Sequence, residues 1–208
     1  LKAIIKNLAI EKHLSAQLVM QNFMLERLLE RISVSKYQQN FILKGGFLIA
    51  AMVGLDTRAT MDMDATLKGM NLNKENVLNI IKDIIAIDIN DGVRYEIFSI
   101  KDIRLEKKYP GFKIHLLAYL EDLRTHLMID ITTGDVITLK EIDYEYNAIF
   151  DNETINIMSY NIETIIAEKF EAIISRNVIN SRMKDYYDLY MFTILKWDNV
   201  NKNLLKIA

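Results

Sequence analysis

Apolar side chains at Leu14, Leu18, Phe23, Leu25, Leu28, Leu29 and Ile32 recur at helical spacing, with Gln17, Gln21, Glu26, Glu30 and Arg31 on the other side. The pattern predicts an amphipathic helix over 15–32. Phe41, Ile42 and Leu43 then form a short apolar run that ends at Gly45 and Gly46. The apolar stretch 47–53 follows and closes at Gly54, which reads as strand, glycine turn and short helix. Val77, Ile80, Ile81, Ile84 and Ile85 repeat along 73–87, the spacing of a helix laid on a sheet and ending near Asp88. Between 93 and 131 the period changes to two, predicting a meander of strands over 93–105, 112–120 and 123–131, with Tyr109, Pro110 and Gly111 in the first gap. The acidic stretch 141–153 reads as irregular. Two helices are expected at 162–176 and 182–195, with Asn161 and Ser181 as their N-caps.

These elements give an α+β fold: a mixed sheet flanked by helices, followed by a helical C-terminal lobe. A soft division near Asn152 separates an α/β lobe with its N-terminal helix, 1–152, from a helical lobe, 153–208, that completes a cleft. Composition narrows the class. The 208 residues are 50% hydrophobic and 26% charged, with one proline and seven glycines, which excludes a disordered or Pro/Gly-rich chain. A mean hydropathy of +0.05 and no long uncharged apolar run exclude a membrane span. No cysteine is present, so neither disulfides nor thiolate zinc sites contribute, and the expected location is the cytoplasm. Charges at Lys2, Lys6, Glu11 and Lys12 interrupt the start before a signal-peptide core forms. The net charge is −2, so no basic coat exists. The first 44 residues nonetheless carry seven basic against three acidic side chains, an excess of +4, which fits an acidic partner such as RNA or an ordinary charged helix face.

Asp62 and Asp64 carry the candidate chemistry. Two residues apart on a strand, they project from one face, and so close a pair of like charges is made favourable by a divalent cation with oxygen ligands, Mg²⁺ or Mn²⁺. The alternative is a solvated loop. Lys44, Gly45 and Gly46 open a helix whose free backbone N–H groups suit a phosphate, or serve simply as a sharp turn. Asp130 ends the apolar run Leu127, Met128 and Ile129, where a carboxylate is costly unless paired or metal-bound. It is a candidate third ligand, or a cap for the turn at Thr132, Thr133 and Gly134.

These motifs and their order resemble the AbiEii-type nucleotidyltransferase toxins of the DNA polymerase beta-like nucleotidyltransferase superfamily. The first part of the resemblance is Leu43, Lys44, Gly45 and Gly46, then Gly54, Leu55, Asp56, Arg58, Thr60, Asp62 and Asp64. Next come Ile129, Asp130 and Ile131. The last part is Glu163, Thr164, Ile165, Ala167, Lys169, Phe170 and Ala172, then Arg176, Arg182, Lys184, Asp185, Asp188 and Leu189. Lys184 stands where the family more often has arginine.

The resemblance implies a metal-dependent transfer of a nucleoside monophosphate from a nucleoside triphosphate to an acceptor. The implied acceptor is an RNA, with a tRNA 3′ end favoured, and the enzyme is the toxin of a toxin–antitoxin pair with a cognate antitoxin. Asp62, Asp64 and Asp130 would hold two divalent ions, Lys169 would contact the triphosphate, and Asp185 would complete the cleft and orient that lysine. Lys44, Gly45, Gly46, Arg58, Thr60 and Arg176 join Lys169 as candidate nucleotide-binding residues. Lys169 and Arg176, seven apart, share a helical face, with Phe170, Ile173 and Ile174 offering an apolar side to the core. Tyr186, Tyr187 and Tyr190 read as core and rim aromatics, and His13, His115 and His126 as structural. Two other readings use the same residues: transfer to a protein hydroxyl, on the enzyme itself or a partner, and a nucleotide-binding module without turnover.

Overall fold

Two helices open the chain, α1 (Lys2–Glu11) and α2 (Ala16–Ser33), in the computed structural model, which describes residues 2–71, 73–103, 111–150, 153–176 and 182–208, residue 176 by its backbone alone. Ser15 caps α2 by accepting the Leu18 N–H at 3.2 Å. β1 (Phe41–Lys44) runs straight into α3 (Gly45–Val53), and β2 (Asp62–Leu67) leads to α4 (Lys74–Ile85), whose N-cap Asn73 accepts the Asn76 N–H at 2.9 Å. Three antiparallel strands follow, β3 (Arg94–Ile103), β4 (Gly111–Leu120) and β5 (Leu123–Thr132). They are the expected meander; Tyr109 and Pro110 of its first gap lie outside the described residues.

The stretch 141–153, expected to be irregular, instead contributes β6 (Ile142–Asn147), which pairs as a hairpin with β7 (Thr154–Ser159) just beyond it. Ile142, Tyr144 and Tyr146 alternate there with Asp143, Glu145 and Asn147, so one side reaches the core, where Tyr146 is buried and stacks on Phe47 at 5.7 Å. The seven described strands form one sheet in the order β3-β4-β5-β2-β1-β7-β6, antiparallel except for β1 with β7 and β2 with β5. The division expected near Asn152 falls in the β6–β7 connection, so the sheet draws β7 from its far side. Helices α5 (Ile162–Arg176), α6 (Met183–Leu195) and α7 (Lys202–Leu205) close the chain. Asn161 caps α5 through the Thr164 N–H at 2.8 Å, while Ser181 lies outside the described residues.

Helix α2 is not amphipathic in space. It packs on β5 and β7, with α1 and α4 beside it, and Gln21, Glu26, Arg27 and Arg31 are buried along with its apolar side chains. Such burial is tolerable only with partners. Arg31 donates to both carboxylate oxygens of Asp91 at 2.7 and 2.8 Å and to the carbonyls of Arg27, Ile87 and Val93, and its guanidinium lies 5.0 Å from the Tyr95 ring. Glu26 accepts from Ile149 N–H at 2.7 Å, from Tyr146 Oη at 3.2 Å and from Arg27 at 3.2 Å. Three of the seven basic side chains in the first 44 residues are therefore internal: Arg27 and Arg31 pair inside and Lys44 pairs with Asp135, whereas Lys36 pairs with Asp83 at 2.9 Å on the surface.

In the helical tail, Ile165 and Ile166 supply the buried side of α5. Phe170 and Ile174, expected against the core, are exposed and line an apolar groove of about 730 Å³ with Phe192 and Trp197. Tyr186, Tyr187 and Tyr190 are also exposed rather than core, Tyr187 Oη donating to the Thr57 carbonyl at 2.9 Å. Among the described residues no helix is long and apolar enough to cross a membrane.

Candidate active site

Parallel pairing of β2 with β5 decides where the acidic side chains go. Asp64 lies opposite Asp130, Asp62 opposite Met128 and Thr66 opposite Thr132. Directly opposed residues share a face, as do residues two apart on one strand. Asp62, Asp64 and Asp130 therefore project from the same side of the sheet, while Met63, Ala65, Ile129 and Ile131 point into the core and are fully buried. The three aspartates line one cleft of about 890 Å³, together with Lys44, Gly45, Gly46, Arg58, Thr60, Lys113, Asp135, Lys169 and Asp185.

The turn at the cleft floor requires glycine. Gly45 has φ +65°, and a Cβ there would stand 2.1 Å from Asp64 Oδ2. A Cβ on Gly46 would meet Thr60 Oγ1 at 3.0 Å. The Asp64 carboxylate thus fills the space a side chain would take and accepts the Gly46 N–H. Thr60 Oγ1 donates to Asp62 Oδ1 at 2.9 Å, and the Thr60 carbonyl accepts from buried Asn22 of α2 at 2.9 Å, so a helix amide steadies the approach to β2.

Burial pushes the Asp64 carboxyl up from 3.8 to about 6, aided by the negative charges of Asp62 and Asp130 and opposed by the charge of Lys44 and the Gly46 N–H. A carboxylate that is desolvated and faced by two like charges is a position a divalent cation relieves, and the all-oxygen donors suit Mg²⁺ or Mn²⁺. Asp130 is meanwhile engaged by Lys113, with Nζ 2.8 Å from Oδ1 and 2.9 Å from Oδ2. Among the described residues no three acidic or histidine side chains gather into a ready-made cage.

The tail supplies the opposite wall. Lys169 Nζ of α5 lies 2.7 Å from Asp185 Oδ1 and 3.0 Å from Asp188 Oδ2 of α6, so one ammonium removes the repulsion between two carboxylates three residues apart. Asp188, fully buried, also takes Arg58 Nε at 2.6 Å, which ties α6 to the segment before β2. Asp185 Oδ2 is buried with no hydrogen-bond partner among the described residues. Lys44 does not reach freely into the cleft: its Nζ sits 2.5 Å from Asp135 Oδ2 and 5.5 Å from the Tyr160 ring. Asp135 accepts in addition from Thr132 Oγ1 at 2.6 Å and from Thr66 Oγ1. The side chain of Arg176 lies outside the described residues.

Sequence reasoning missed Lys113, Asp135 and Asn22. For Lys113 the signal was present. A two-residue turn at Glu121 and Asp122 joins Leu120 to Leu123, and counting back from that turn sets Lys113 opposite Asp130. Asp135 and Asn22 acquire their roles from partners distant in sequence, and nothing local marks them.

Residues 27–206 match the sequence profile of the family described as "Nucleotidyl transferase AbiEii toxin, Type IV TA system". Two crystal structures from Helicobacter pylori share the fold. One, assigned by inference as a nucleotidyltransferase, is 18% identical with a TM-score of 0.61, and the match covers 92% of this chain and 74% of that one. The other, JHP933, is 16% identical with a TM-score of 0.60, covering 91% and 72%. No curated protein matches the chain significantly.

Proposed function

The chain belongs to the AbiEii family of nucleotidyl transferase toxins of type IV toxin–antitoxin systems, and from that membership we propose that it transfers a nucleoside monophosphate from a nucleoside triphosphate to RNA, a tRNA 3′ end being the favoured acceptor. Family membership makes it a nucleotidyltransferase toxin, with a nucleoside triphosphate as substrate and an antitoxin as partner. The observation that supports a metal-assisted transfer is the cross-strand placement of Asp130 beside Asp64, with Asp62 on the same face and Lys169 across the cleft; RNA as the acceptor rests on the family resemblance alone.

In such a transfer an acceptor hydroxyl attacks the α-phosphorus, the bond to the β-phosphate breaks, pyrophosphate leaves and the hydroxyl proton passes to solvent. Asp62, Asp64 and Asp130 would hold a divalent cation pair, Mg²⁺ or Mn²⁺. When bound, it lowers the pKa of the attacking hydroxyl and draws charge from the phosphoryl oxygens. The first turn of α3, beginning at Gly45 and Gly46, presents backbone N–H groups that have no carbonyl partner within the helix; Asp64 takes that of Gly46, and the others would receive phosphate oxygens. Thr60 holds Asp62 in place through its hydroxyl. Lys169, kept extended by Asp185 and Asp188, meets the triphosphate as a point charge. Arg58 fixes α6 through Asp188, and Lys44, paired with Asp135, lends positive charge beside Asp64.

Incubating the protein with Mg²⁺, labelled nucleoside triphosphates and total RNA tests this directly. Label is expected in RNA with the wild type and at background with the Asp62→Ala, Asp64→Ala double variant. Equal labelling by both overturns the site, whereas label confined to protein, read by mass spectrometry, replaces RNA by a protein hydroxyl as the acceptor.

A further inference from the structure

We propose that Lys113 is a built-in rival of the divalent cation at Asp130, so that this chain loads one ion firmly on the Asp62 and Asp64 side and a second only by displacing an ammonium. The inference rests on the reading of Asp62, Asp64 and Asp130 as cation ligands and adds a residue that reading does not use.

The β4–β5 register sets Lys113 directly opposite Asp130, and the two-residue turn at Glu121 and Asp122 fixes that register. Lys113 Nζ donates to Asp130 Oδ2 at 2.9 Å and stands 2.8 Å from Oδ1, which is buried with no hydrogen-bond partner among the described residues, so the ammonium holds one oxygen by a hydrogen bond and sets its charge beside the other.

Of the five other described basic residues lining the cleft, three pair with other carboxylates. Lys44 is on Asp135, Lys169 on Asp185 and Asp188, and Arg58 on Asp188. Lys113 is the one of these four whose partner is a proposed cation ligand. It is also held loosely. The side chains of Lys113 and Asp130 are 29% and 21% exposed, against 9% and 0% for Arg58 and Asp188. An ion pair open to water is screened and exchangeable, whereas a buried one is locked by the cost of separating it. The contact therefore weakens the second cation's hold without blocking it.

Titration of the full chain with Mn²⁺, without nucleotide, followed by electron paramagnetic resonance of the free ion, measures this apart from turnover. One tight and one weak equivalent are expected for the wild type. In Lys113→Met the second equivalent should tighten by about tenfold or more, since a competing charge has gone. Lys113→Arg should keep it weak, and adding Asp130→Asn to Lys113→Met should abolish it. Thermal midpoints establish that each variant is folded, and Lys113→Gln repeats the measurement if Lys113→Met is not. A second-ion affinity in Lys113→Met or Lys113→Gln within twofold of the wild type overturns the proposal while leaving the cation reading intact. No Mn²⁺ bound by any variant overturns both.

Discussion

Two clusters of charge, one along α2 and one in the cleft, are built to opposite rules. Along α2 opposite charges face each other: Arg31 meets both oxygens of Asp91 and three carbonyls, and Glu26 receives donors from Ile149, Tyr146 and Arg27. In the cleft, like charges face each other: Asp64 is desolvated between Asp62 and Asp130. The first cluster is finished by folding and holds helix to sheet. The second pairs Asp130 with Lys113 but leaves Asp64 facing like charges, the condition that favours a cationic ligand over stability at that position.

The largest way to break this comparison is Asp64→Asn. Transfer activity should fall by about 10⁴-fold, about 5 kcal/mol of transition-state stabilisation, while the thermal midpoint stays level or rises. A midpoint that drops with the activity would make Asp64 part of the framework instead. Arg31→Met inverts the result: removing one partner of a buried pair costs about 3–5 kcal/mol of stability, with transfer per folded molecule retained. Urea unfolding and an active-fraction assay separate the two effects.

Acid sharpens the contrast, because the two carboxyls are shifted in opposite senses. Asp64 is raised from 3.8 to about 6, so its favourable contribution is full below 3.8 and lost as pH rises through about 6. Without divalent ions, Asp64→Asn should exceed the wild type in stability above about pH 6, by on the order of 3 kcal/mol, and lose that advantage toward pH 4. For Asp91, burial acts to raise the carboxyl, but the Arg31 hydrogen bonds, the Val93 N–H and the Arg31 charge outweigh it and hold it below 3.8. Its contribution is full above the ordinary value and disappears as pH falls through the lowered one. A gap in midpoint between wild type and Asp91→Asn is thus expected that is constant near neutrality and closes in acid. Equilibrium unfolding at stepped pH reads both.

The difference between the clusters also explains what the sequence disclosed. Asp62 and Asp64 were legible because strand geometry alone puts alternate residues on one face, and the Gly45–Gly46 turn because a glycine pair between two apolar runs marks a sharp strand-to-helix turn. The helix at 162–176 was legible from its period and its Asn161 cap. Helix α2 misled, since periodicity marks Glu26 and Arg31 as a polar face and cannot say that Asp91, sixty residues on, will come to meet Arg31. The strand at Ile142–Asn147 did alternate, but its acidic residues masked the pattern. The exposed Phe170 and Ile174 carry the spacing of a buried face, and only the packing of α5 on its neighbours distinguishes the two.

Asp64 sits in the hollow left by the missing side chain of Gly45, and that interlock limits how the two positions can change. A methyl group at 45 would collide with the carboxylate, and a longer acid at 64 would have nowhere to go, so neither position can drift while the other stays. Active relatives should keep glycine at 45 wherever they keep the aspartate at 64, a correlation that a comparison of sequences can look for without a single assay.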